Sequence, residues 1–115
     1  MANQKLYKGS LQTIILKLLE NQEKMYGYEI TQKVKDITQG ALKITEGALY
    51  PALHKLEAEG LLDVEIVHIG NRYRKYYRLT KLGTKESTHK LEELQQFIET
   101  MQNTLDCVQL LWRIA

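Results

Sequence analysis

With 115 residues, 43% of them apolar and 26% charged, the chain has the makings of one small folded domain and is neither collagen-like nor disordered. No apolar run approaches the roughly 18 residues that a membrane span needs and no signal-peptide pattern opens the chain, so a cytoplasmic location is expected. The lone Cys107 excludes an intramolecular disulfide and a cysteine-based zinc site, and a net charge of +2 names no partner by itself.

Residues 1–8 are polar apart from Leu6 and Tyr7 and read as an arm or as a segment packed on the core. The first helix is predicted to start with Ser10 as its N-cap. Leu11, Ile14, Ile15, Leu18 and Leu19 follow at helical spacing and make a wide core-facing stripe. A turn at Asn21–Lys24 leads to a second helix over Tyr26–Thr38, with Tyr26, Ile30, Val34 and Ile37 as its stripe. Gly27 is a poor helix former in that first turn, so it implies close backbone approach, either to the third helix or to a phosphate. Gln39 and Gly40 end the helix, and Leu42–Ile44 reads as a short strand.

The stretch Thr45–Leu62 carries the strongest single pattern. Leu49, Leu53 and Leu56 recur at i, i+4 and i+7 with Ala52 beside them, giving one buried stripe. Thr45 is suited to cap the helix, Glu46 places a carboxylate at the positive end of its dipole, and Gly60 is suited to stop it. Pro51 argues against an interior helical position. The stripe runs through it unbroken, so a helix with a bent first turn is expected. The other face carries Gly47, Tyr50, Pro51, His54 and Lys55, a mixture of small, aromatic and basic groups suited to a nucleic-acid groove.

After Gly60 the period changes to two. Leu62, Val64 and Ile66 alternate with Asp63, Glu65 and Val67, Gly70-Asn71 supplies the turn, and Tyr73–Leu79 returns. Between residues 66 and 85 there are six Lys and Arg side chains and no acid, whereas the segments on either side are net acidic. Positive charge is thus concentrated on and just after the hairpin. Helix, turn, helix, helix and a basic hairpin together are the layout of a winged helix-turn-helix, mainly α with a small β-hairpin.

Thr80 is suited to cap a last helix, whose first turn Gly83 weakens. From Leu91 onward Leu91, Leu94, Ile98, Met101, Leu105, Val108 and Trp112 follow in steps of 3 and 4, the a/d seam of a coiled coil. Self-association is the preferred reading of this stripe; packing on the first helix within one chain is the alternative. Phe97, Leu110 and Leu111 widen it. Cys107 reads first as a small core residue and second as a redox sensor. The three histidines lie far apart without a cysteine or carboxylate cluster, and no phosphate loop occurs, so no catalytic residue, metal site or cofactor is assigned.

Three stretches resemble signatures of the PadR family of bacterial winged-helix regulators: YGYEI at Tyr26–Ile30, GALYPALHKLEAEGLL at Gly47–Leu62 and RKYYRLT at Arg74–Thr80. They occur in the family's order and cover most of residues 9–83. The resemblance implies a DNA-binding domain over 1–80 and a dimerisation helix over 81–115, in the short form of the family with no large effector domain. It also implies a homodimeric regulator, a repressor by analogy, on a pseudo-palindromic operator. Tyr26, Gly47, Ala48, Tyr50, His54, Lys55, Arg72, Arg74 and Lys75 are the candidate DNA contacts. Leu91, Leu94, Ile98, Met101, Leu105, Val108 and Trp112 are the candidate dimer seam. Phe97, Met101 and Trp112, on or near the seam, are candidates for a small aromatic effector, since apolar cavities lined by aromatic and Met side chains suit planar ligands and some relatives bind such compounds at this interface. The alternative function is a winged-helix protein-interaction module that does not bind DNA, a class that usually lacks a basic wing.

Overall fold

A computed structural model describes residues 7–114. The arm expected over residues 1–6 lies outside them. A short 3₁₀ turn (Lys8–Ser10) leads into α1 (Leu11–Glu20), followed by β1 (Met25–Tyr26), α2 (Gly27–Ile37), α3 (Glu46–Ala58), β2 (Leu62–Ile69), β3 (Arg72–Leu79) and α4 (Lys81–Ile114). This is a winged helix followed by a long C-terminal helix.

The core gathers around α1. Leu11, Ile15, Leu16 and Leu19 are buried there against Leu49, Leu53 and Leu56 of α3 and against Leu62 and Tyr77 of the sheet. Leu16 and Thr13 lie outside the predicted stripe but are buried too, because α1 packs on α3, α4 and the sheet at once. Ser10 does occupy the N-cap position of α1. Its backbone is already near-helical (φ −101, ψ −6) and its side chain caps nothing, since the 3₁₀ turn feeds straight into the helix. In α2, Ile30 and Val34 are buried but Ile37 is 63% exposed, so the stripe ends a turn early.

The sheet has three antiparallel strands in the order β1-β3-β2. Leu42–Ile44 is not one of them. The Leu42 N–H donates to Thr38 Oγ1 (3.0 Å), which ties this segment to the end of α2 instead of to a ladder. The third strand is Met25–Tyr26, paired with Tyr77 and Tyr76. The wing runs longer than its alternation suggested, to Ile69. The two-residue loop Gly70-Asn71 closes it, with Gly70 at φ +63, the sense required at the first central position of a II′ hairpin turn.

Helix α3 passes through Pro51 without interruption. Thr45 caps it, accepting from the Ala48 N–H at 3.3 Å. Its end is a Schellman motif: Leu61 N–H to the Leu56 carbonyl (2.9 Å), Gly60 N–H to the Glu57 carbonyl (3.0 Å), and Gly60 at φ +79. Leu61 and Leu56 are both buried beneath the turn.

The start of α4 is fastened to this turn. Thr80 donates its N–H to the Leu61 carbonyl (3.1 Å) and its hydroxyl to the Gly60 carbonyl (2.7 Å), while Thr80 Oγ1 accepts from Gly83 N–H (2.9 Å). Gly83 does more here than weaken a helix. It is buried, and a Cβ at this position would overlap the Leu61 carbonyl oxygen. Farther along, Leu91 and Leu94 are half-buried, whereas every described residue from Gln95 onward is exposed, Cys107 included. The expectation of a core cysteine therefore fails: at this depth along α4 there is no core to enter.

Candidate nucleic-acid interface

Burying Leu49, Leu53 and Leu56 turns the opposite face of α3 outward. Gly47, Tyr50, Pro51, His54 and Lys55 are all exposed there, and Ala48 is half-buried against the core. Tyr50 and His54, one turn apart, bring their rings to 6.4 Å. Tyr50 is also anchored: a Cβ at Gly27 would lie 2.8 Å from its hydroxyl oxygen. Of the two roles open to Gly27, the geometry gives close approach to α3. Its missing side chain lets the Tyr50 ring lie against the start of α2. Tyr28, next in sequence, projects into solvent.

The three wing cations have different surroundings. Arg72, beside the turn, is exposed and makes no ion pair or aromatic contact among the described residues. Lys75 points to the α3 side, 3.7 Å from the Glu57 carboxylate and 5.4 Å from the centre of the Tyr77 ring. Arg74 points to the opposite face. Its guanidinium lies 4.0 Å from the centre of the Tyr26 ring, and its Nη1 donates to the Tyr76 hydroxyl at 3.4 Å. That hydrogen bond, helped by the nearby Tyr26 and Glu29, raises the Arg74 pKa above its ordinary value.

Arg74 belongs to a continuous layer on this outer face of the sheet. Tyr26 and Tyr76 meet edge to face at 5.5 Å, and Lys24 Nζ sits 4.9 Å from the Tyr76 ring centre. Glu65, paired across the strands with Tyr76, accepts from Lys24 (3.0 Å) and Arg78 (2.6 Å). The Lys24 ammonium, with Arg78 adding to it, holds the Glu65 carboxyl below its ordinary pKa. Sequence reading singled out Tyr26 and Arg74 and missed Lys24, Glu65, Tyr76 and Arg78. The assembly depends on β1 pairing with β3, and a two-residue strand leaves no alternation to read.

On α4 the candidate seam divides. Leu91 and Leu94 line a shallow groove with Ile14 and Leu18 of α1 and Ile37 of α2, so the exposed Ile37 borders the same groove. Ile98, Met101, Leu105, Val108 and Trp112 extend beyond it, all exposed. The candidate effector residues are not brought together within one chain. Phe97 and Trp112 are 15 positions apart on a single helix, about 22 Å at 1.5 Å per residue. Phe97 instead borders a groove near the start of α1. Among the described residues no three His, Cys, Asp or Glu side chains come together in a way that could hold a metal ion, and no helix is long and apolar enough to cross a membrane.

A winged helix that turns a polar, aromatic face of its third helix outward beside a cationic hairpin belongs to the helix-turn-helix class of proteins. Within that class, the Transcriptional regulator PadR-like family matches residues 15–89, and the chain belongs to that family. It is 37% identical over 73 residues to a transcriptional regulator of Mycobacterium tuberculosis, covering 61% of this chain and 65% of that one. Among solved structures, it is similar to a transcriptional regulator from Clostridium thermocellum (TM-score 0.80, 31% identity, 86% of this chain and 96% of that one). It is also similar to a PadR family transcriptional regulator from Eggerthella lenta (TM-score 0.77, 29% identity, 88% of this chain and 86% of that one). Family membership implies DNA-binding regulation.

Proposed function

We propose that this chain is a homodimeric repressor that binds a pseudo-palindromic operator, with one α3 in the major groove and one wing on the backbone per subunit. The outward face of α3 carries the reading: Gly47, Tyr50, Pro51, His54 and Lys55 are exposed on it, and Tyr50 is held in place against Gly27. Tyr50, His54 and Lys55 are the side chains for base edges, and Gly47 and Ala48 give the groove room and an apolar contact suited to a thymine methyl. Arg72 supplies phosphate affinity from the wing. The exposed part of the α4 stripe is the surface for the second subunit, and the α1–α4 groove beside Ile37 is a seat for the partner's helix. An aromatic effector, drawing Phe97 and Met101 from one subunit and Trp112 from the other, is part of this reading.

The test is fluorescence anisotropy on duplexes tiled across the promoter of the chain's own operon, against a scrambled duplex, over a range of salt. The expected result is one duplex bound at least 10³-fold more tightly than the scramble, with affinity falling steeply as salt rises. Equal, salt-insensitive binding to every duplex would overturn the proposal.

A further inference from the structure

We propose that Arg74 is a positioning residue that locks the wing to the start of α2, and that it is not one of the wing's phosphate ligands. This inference rests on the DNA-binding reading above.

Neighbouring residues of a strand point to opposite faces, so Arg74 and Lys75 cannot both serve one surface. Lys75 faces Glu57 near the end of α3. Arg74 faces Tyr26, where α2 begins. The wing is thus held from both sides, by one contact to each helix of the helix-turn-helix. The outer hold is the more extensive. Arg74 stacks on Tyr26 and bonds to Tyr76, Tyr76 also carries Lys24, and Glu65 gathers Lys24 and Arg78. Every cation on this face except Arg72, at the tip, has an aromatic ring or the Glu65 carboxylate as partner. A planar guanidinium on a ring fixes orientation as well as distance, which an ammonium does not.

Tyr26 itself is tied to α2 by its own N–H, which donates to Glu29 Oε1 at 3.2 Å. The chain of contacts runs from wing to Tyr26 to α2, and from Gly27 through Tyr50 to α3. Its mechanical effect is to fix where the wing tip meets the backbone once α3 is in the groove. Loss of this link costs fit on the operator. On random DNA, where no register is required, it costs little. Electrostatic contact would behave differently, because a lost phosphate ligand weakens both duplexes and lowers the salt slope by about one.

The experiment compares wild type, Arg74→Met, Arg74→Lys and Arg72→Ala by anisotropy on operator and scrambled duplexes across a salt series. Wild-type binding to the operator checks the underlying DNA-binding reading first. Methionine keeps the length and apolar bulk of the arginine stem without its charge, and a melting curve confirms that each variant folds. The expected result for Arg74→Met is an operator affinity about fivefold weaker, the size of one cation–π contact, with an unchanged salt slope and a loss below about twofold on the scramble. Arg74→Lys, which keeps the charge and loses the planar stack, should resemble Arg74→Met on the operator. Arg72→Ala should lower the slope by about one and weaken both duplexes. A slope that falls by about one in Arg74→Met, or full operator affinity in Arg74→Lys, would make Arg74 a charge contact and overturn the inference.

Discussion

Leu53 and Leu105 each lie on a helical stripe of leucines and their like, yet Leu53 is 0% exposed and Leu105 is 57% exposed. The stripe of α3 finds α1 and the sheet within its own chain. The stripe of α4 finds α1 only as far as Leu94 and then leaves the rest of the molecule behind. The same periodicity therefore marks two different things: a face that closes on its own chain, and a face left open to solvent. Periodicity alone does not tell them apart. Position does, because the apolar surface of a small domain is already used up when the chain reaches residue 95.

The largest effect should come from the open stripe. Met101→Lys with Leu105→Lys should weaken self-association by roughly 4 kcal/mol, about a thousandfold, since two ammonium groups would enter an apolar seam. Sedimentation should then give a monomer, and helical circular dichroism should fall, because an isolated stretch of about 20 residues is marginal as a helix in water. These positions are better placed than Leu94, which also packs on α1. A variant that stays dimeric would mean that the stripe is not the interface.

The closed half is broken from inside. Gly83→Ala puts a Cβ into the Leu61 carbonyl and should cost about 3 kcal/mol. The melting temperature should drop by roughly 10 °C or more, with dimer mass retained wherever the protein is folded. An unchanged melting temperature would mean that the turn between α3 and β2 yields easily. Surface changes on α3 should leave stability alone and affect binding: Tyr50→Ala or His54→Ala should cost about 2 kcal/mol on the operator and much less on random duplex. Equal losses on both duplexes would reduce these residues to backbone contacts.

The smallest effect is one of pH. Glu65 has its pKa lowered by Lys24 and Arg78, so its contribution is full above the ordinary value of 4.5 and is lost as pH falls through the lower folded value. Melting curves of wild type and Glu65→Gln should differ slightly at pH 6 and converge once the pH has fallen through the lowered folded value. Curves that stay equally separated would show that the carboxylate's charge is not what holds the outer layer.

Much of this was legible because strong local rules agreed. Leu49, Leu53 and Leu56 outweighed Pro51, Thr45 and Gly60 marked the ends of α3, and Gly70-Asn71 fixed the hairpin. What escaped the sequence depends on partners distant in the chain. Met25–Tyr26 is too short to alternate, and only β3 makes it a strand. Gly83 reads as a weak helix former until the Leu61 carbonyl is seen beside it. Arg74 reads as one more wing cation until Tyr26 is found 4.0 Å away. The α4 seam was legible as a seam, but which part of it stays within the chain was set by how far α1 reaches.

The junction between α3 and α4 has little slack. Two backbone carbonyls of the Gly60-Leu61 turn are held by Thr80, and Gly83 fills the remaining gap. Beyond it α4 runs 34 residues, about 50 Å at 1.5 Å per residue. A rod of that length works as a lever. A tilt of about 5° at the junction carries its far end roughly 4 Å. Run in reverse, a displacement of that size imposed at the far end returns to the junction as a rotation of the body that carries α3. Successive major grooves on one side of DNA repeat about every 34 Å. In the proposed homodimer, where the two α4 helices pack on each other, a few degrees decides whether both α3 helices meet the groove or only one does.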